Sequence, residues 1–134
     1  MRRGEVLALR WSDVALDEPT PRIRVCRSLD WGVDGPHFKT TKTSHARVVT
    51  IPAVLVDELC EELARQVETR SMLGDAYQSL DLVCCHADGS PRSPNSLSNA
   101  WIHFTATLPP GLPRLTFHQL RHAHASLLLA AGVD

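Results

Sequence analysis

The chain has 134 residues, of which 43% are hydrophobic, a net charge of −1 and a pI near 6.6. This is the length of about one domain, with enough apolar content for a compact core. No apolar run approaches the roughly 20 residues that cross a bilayer, and the charges in "MRRGEVLALRW" exclude a secretory leader there, so the default expectation is a cytoplasmic protein with no membrane partner.

The opening "RRGEVLALRWSDV" places Val6, Leu7, Leu9 and Trp11 at mixed helical spacing with no cap before them, as in a helix entered part-way along. "PRIRVCRSL" then alternates Ile23 and Val25 with arginines, and "HFKTTKT" and "ARVVTIP" are two further β-rich runs. Together they predict a small antiparallel three-stranded sheet. After Pro52, the spacing of Val54, Leu55, Leu59, Leu63 and Val67 predicts a helix over 53–71 with its acids facing solvent. "LVCCH" is a short apolar segment closed by the turn pair Asp88-Gly89. A helix follows in "SPNSLSNAWIHFTATL", with Ser93 as cap and Pro94 at its first position. "PPGLPR" breaks the chain, and Thr116 caps a last helix that carries Phe117, Leu120, Leu127 and Leu128 on one face and ends at Gly132. The fold class is α+β and mostly helical.

The four cysteines are Cys26, Cys60 and the adjacent Cys84 and Cys85. They fit neither a disulfide framework nor a C-x-x-C metal site, and are expected to be reduced and buried. Zinc on Cys84, Cys85 and His86 is a poor fit, because neighbouring side chains rarely converge on one tetrahedral ion.

The near-neutral total charge hides a segregation. Gly35 to Val56 contains no acid but holds Lys39, Lys42 and Arg47 with His37 and His45, and Gly89 to Val133 holds Arg92, Arg114 and Arg121 with four histidines and again no acid. The acids gather in "DELCEELARQVE". Two basic stretches free of acids can face one anionic ligand.

On the last helix His118, Arg121 and His122 fall at i, i+3 and i+4, so they meet near its first turn. A helix N-terminus already presents free N–H groups and a positive dipole end, and these cations reinforce it for phosphate. The competing chemistries fit less well. "HQLRH" has Gln119 where a zinc protease needs a glutamate, and Arg121 would repel the ion, so no metal or other cofactor is expected. No G-x-S-x-G elbow marks a serine nucleophile. Phosphoryl transfer, in which fixed Arg, Lys and His donors stabilise charge on phosphorus, fits the residue types, while ordinary surface histidines are the plain alternative.

The segment "FHQLRHAHASLLLAAGVD" resembles the H-x-L-R-H segment of tyrosine recombinases, the phage-integrase family of site-specific DNA recombinases. Two more stretches agree in order and spacing. "RRGEVLALRWSDV" is similar to the family's R-x-x-E-[LV]-x-x-L-x-W-x-D segment, and "TKTSHARVVTIP" to its K-T-x-x-x-R-x-V-x-x-P hairpin. The resemblance implies that Arg2, with Arg3 as the neighbouring alternative, and Arg121 grip the scissile phosphate. It makes Lys42, or Lys39 on the same run, the donor to the departing 5′ oxygen. His118 then assists proton transfer, while Arg47 and His122 support phosphate or DNA binding. The implied partner is double-stranded DNA, on which whole family members assemble as tetramers, with this stretch alone expected to be monomeric.

Family members also have an N-terminal DNA-clamping domain and, after the A-G-V segment, a G-H-x pair and the tyrosine that attacks phosphorus. Neither is expected within residues 1–134, and Tyr77 stands in the wrong order to be that tyrosine. The sequence therefore implies a partial catalytic domain for DNA integration or recombination, inactive by itself. The alternative is a non-catalytic DNA-binding module of the same fold.

Overall fold

The computed structural model describes residues 1–41 and 46–133. Its order is α1 (Arg3–Leu7), a 3-10 turn (Trp11–Asp13), β1 (Val14–Ala15), β2 (Arg22–Val25), β3 (Arg27–Gly32), β4 (Gly35–Thr40), β5 (Arg47–Thr50), α2 (Ala53–Leu73), α3 (Pro94–Ala106) and α4 (Phe117–Ala130). The α+β class holds, with an antiparallel three-stranded sheet ordered β1-β2-β5 and a separate β3-β4 hairpin.

The membership of the sheet differs from the expectation. "PRIRVCRSL" is two strands that part at Cys26: Arg22–Val25 pairs with Arg47–Thr50, and Arg27–Gly32 pairs with Gly35–Thr40. Val14–Ala15 supplies the third strand. Buried Asp13 explains the split. Its carboxylate accepts hydrogen bonds from Arg24 at 3.0 Å on β2 and from Arg27 on β3, so the chain turns about one anion.

The opening helix is also shorter than its apolar spacing suggests. It ends at Leu7, and it does have a start: the Glu5 carboxylate reaches back to accept the Arg2 backbone N–H at 2.6 Å. Gly4 lets α1 sit directly on β3, since a Cβ there would lie 2.5 Å from Ser28 Oγ and 2.9 Å from the Leu29 carbonyl oxygen. The predicted caps are in place. Ser93 accepts the Ser96 N–H, Thr116 accepts the Gln119 N–H, and the Gln119 side chain returns to the Thr116 N–H at 2.8 Å.

Two apolar cores form. One joins Leu9, Ile23, Val25, Ile51 and Leu59 between the sheet and α2, and the other joins Leu7, Ala8 and Leu29 beneath the hairpin. The buried seam of α2 keeps only Leu59 of the predicted apolar positions. Leu59 and Gln66 are buried, whereas Val54 and Val67 are 67% and 60% exposed. Likewise no residue of α4 is buried, including Leu120, Leu127 and Leu128. The cysteines are free, but they are not buried as expected: Cys60 is exposed and the other three are half-buried.

Candidate functional site

A cleft of about 1150 Å³ opens between α1, the β3-β4 hairpin and the N-terminal turns of α3 and α4. Four residues predicted from sequence for the phosphate pocket, Arg2, Lys39, His118 and Arg121, line it. Both acid-free stretches thus contribute to one cavity, the first through His37 and Lys39, the second through residues from Ser93 to Arg121. The Met1 amino group reports the same crowding. Burial holds it below its ordinary value, and Arg47, Arg121 and Arg2 push in the same direction against Glu5.

Each side chain is placed by a local device. Arg2 lies at the start of α1 with most of its side chain in solvent, 3.8 Å from Glu5. Arg121 follows from the capping box at Thr116, which fixes the first turn of α4 and so the direction of residues one turn on. His118 Nε2 lies 2.9 Å from His122 Nε2, with the two rings edge to face at 4.5 Å. His122 therefore reaches the cleft through His118. Lys39 is paired with Asp30 across the hairpin, and His37 with Asp34 at 2.7 Å. Lys42 lies outside the described residues.

Arg47 is not among the residues that line the cleft. Its guanidinium is engaged with Glu5, donating at 3.0 and 2.6 Å to the two carboxylate oxygens, and so ties β5 to α1. Burial by itself would raise the Glu5 pKa, but the Arg47 fork and the Arg2 N–H outweigh it and lower it to about 2. The acid is therefore charged at neutral pH, and it fixes the base of the helix turn that carries Arg2.

Sequence reasoning gave Arg3 only as an alternative to Arg2, yet both line the cleft, and Arg3 Nη1 donates to Ser98 Oγ of α3 at 2.8 Å. The signal was available in "SPNSLS", a serine-rich first turn opposite a basic helix start. Trp101 closes the far side, donating its indole N–H to the Leu115 carbonyl at 2.8 Å and meeting Phe117 edge to face at 5.8 Å, so α3 holds the entry of α4. Tyr77 is elsewhere. It packs on Gly89, where a Cβ would lie 2.8 Å from the ring, and the residues that line the cleft do not include it. Among the described residues no group of three His, Cys, Asp or Glu side chains is placed to hold a metal ion, and no helix is long and apolar enough to cross a membrane.

The model of the phage integrase family matches residues 1–134. The chain belongs to the phage integrase family. Its fold is similar to that of the Tn1549 transposon integrase solved in complex with transposon right end DNA, with a TM-score of 0.77 at 15% identity over 100% of this chain and 44% of that one. The same integrase in complex with circular intermediate DNA gives a TM-score of 0.75 at 15% identity, again over 100% of this chain and 44% of that one. The phage integrase chain described here thus spans less than half the length of these solved chains. No curated protein matches it.

Proposed function

We propose that residues 1–134 are the phosphate-gripping part of the catalytic domain of a site-specific DNA recombinase, and that the attacking tyrosine is not among them. The observation that carries this reading is that Arg2 and Arg121, from opposite ends of the sequence, line one cleft with His118 and Lys39. In this reading the two guanidinium forks hold the non-bridging oxygens of one phosphate. His118, steadied by His122, moves the proton at the nucleophile. A lysine, Lys39 or Lys42, protonates the departing 5′ oxygen. Arg47 acts through Glu5 by holding Arg2 in place. Negative charge developing on phosphorus is met by fixed cations. The similar fold of integrases solved with DNA supports duplex DNA as the ligand.

The test is binding of a labelled duplex at two salt concentrations. Affinity is expected to fall steeply with salt, by a log–log slope of roughly −0.9 per phosphate contacted. Arg2→Ala and Arg121→Ala should each weaken binding and flatten that slope. Binding indifferent to salt, or unchanged in the double variant, would sink the reading. The second reading is a DNA-binding module without catalysis, and covalent adduct formation by a chain extended with the family's tyrosine segment separates the two.

A further inference from the structure

We infer that His118 and His122 form a two-histidine chelate for a divalent transition metal ion on the first turns of α4. This inference does not rest on the recombinase reading. Imidazoles at i and i+4 share one helix face, and here the rings are already brought together, with Nε2 to Nε2 at 2.9 Å and centroids 4.5 Å apart. Two nitrogens each ~2.0–2.1 Å from one ion and about 90° apart lie about 2.9 Å from each other, whereas a tetrahedral angle sets them about 3.3 Å apart. Once the rings have turned, the pair can present two imidazole nitrogens to one ion such as Cu²⁺ or Ni²⁺. Binding exchanges the hydrogen bond between the rings for two N–metal bonds. The ring that donates changes tautomer, giving up its Nε2 proton to solvent and taking one at Nδ1, so both rings stay neutral and both Nε2 lone pairs turn to a point off the line that joins them. Each ring remains on an exposed part of the helix, so an ion reaches the pair without any rearrangement of a core.

Two features bound the affinity. Among the described residues no third His, Cys, Asp or Glu joins the pair, so water completes the coordination. Arg121, and Arg2 and Lys39 across the cleft, are cations that oppose a positive guest. Between solvent-exposed charges that repulsion is weak, which leaves a bidentate chelate of modest strength. It would also occupy the nitrogen by which His118 faces an anion, so ion and phosphate would exclude each other at this ring.

The experiment is a calorimetric titration of the untagged chain with Ni²⁺ at pH 7.5, repeated at pH 5.5 and with His118→Ala, His122→Ala and His124→Ala. One equivalent should bind at pH 7.5 with micromolar affinity. Either of the first two substitutions should cost at least tenfold, His124→Ala should change nothing, and protons should displace the ion at pH 5.5. Circular dichroism melts of each variant check that the fold is retained, as expected for exposed positions. The inference is overturned if His118→Ala and His122→Ala bind as the parent does, if His124→Ala loses the ion equally, or if no equivalent binds.

Discussion

Glu5 is a carboxylate with 2% exposure that stays ionised because three donors hold it: both ends of the Arg47 fork and the Arg2 backbone N–H. Its pKa is lowered from an ordinary 4.5 to about 2. A depressed folded-state pKa contributes stability that is fully present above the unfolded value and disappears as pH falls through the folded one. The contribution, on the order of 2 kcal/mol once the partly exposed guanidinium is allowed for, should therefore be lost between pH ~5 and ~2. Glu5→Gln should melt lower than the parent at pH 7, and the difference between the two should shrink as pH is lowered to 3. A gap that is constant across that range would contradict the assignment. Gly4 is the second decisive position. Alanine is the better helix former by about 1 kcal/mol, but its Cβ would meet the Leu29 carbonyl oxygen at 2.9 Å, and that backbone oxygen cannot swing aside. Gly4→Ala should cost roughly 1–3 kcal/mol, read as a lower urea midpoint, and should displace Arg2 and Arg3 with the helix that bears them.

Two short elements are locked by three side chains of the opening segment, each to a different partner. Glu5 joins α1 to β5, Asp13 joins the 3-10 turn to β2 and β3, and the Trp11 indole N–H donates to Gln66 Oε1 of α2 at 2.9 Å. Gln66 in turn donates to the Val83 carbonyl oxygen and to Glu62, both at 2.8 Å, which makes it the polar centre of the α2 seam. Gln66→Leu should strand the Trp11 N–H and the Val83 carbonyl and cost about 2 kcal/mol. A double-mutant cycle with Trp11→Phe should give a coupling of about 1 kcal/mol, whereas additive losses would mean the two do not act together. Gln66 also shows why this packing was illegible in sequence. Periodicity selects apolar positions, so it found Leu59 but also chose the exposed Val54 and Val67, while the other buried position is polar and is satisfied by a partner 55 residues away. Local signals were read without that difficulty: the caps at Ser93 and Thr116 need only residues three positions on. Strand pairing is non-local, and nothing within "PRIRVCRSL" shows that Asp13 divides it. The same division runs through the site. Arg2, His118 and Arg121 were legible because motif spacing marks them, while Arg3 with Ser98 and Arg47 with Glu5 depend on which elements meet.

At the scale of the whole molecule, four cations, Arg2, Arg3, Lys39 and Arg121, line one cleft. The acids of α2 at Asp57, Glu58, Glu61 and Glu68 are solvent-exposed, and the cleft draws its side chains largely from the two stretches without acids. Lys39 and Asp30 are the exception, a pair that moderates the hairpin wall. Such a cleft can hold and polarise a phosphate, but donors accelerate transfer only when a nucleophile attacks in line. Tyr77, the one tyrosine of the sequence, meets neither condition. It is half-buried against Gly89, outside the cleft, and its phenol is pushed above its ordinary pKa first by burial and then by the neighbouring Cys85. Phenolate is therefore scarcer there than on a free tyrosine. The 134-residue chain, incubated with a nicked duplex that carries a suspected attachment site, should give no covalent protein–DNA band on a denaturing gel, while retaining salt-sensitive binding on a native one. Tyr77→Phe should leave both results unchanged. Extending the chain with a segment that bears the family's tyrosine should produce the band, and Arg2→Ala or Arg121→Ala in that extended chain should abolish it. A band from the unextended chain that disappears with Tyr77→Phe would show that Tyr77 reaches the phosphate, and the assignment of the cleft would have to be redrawn around it.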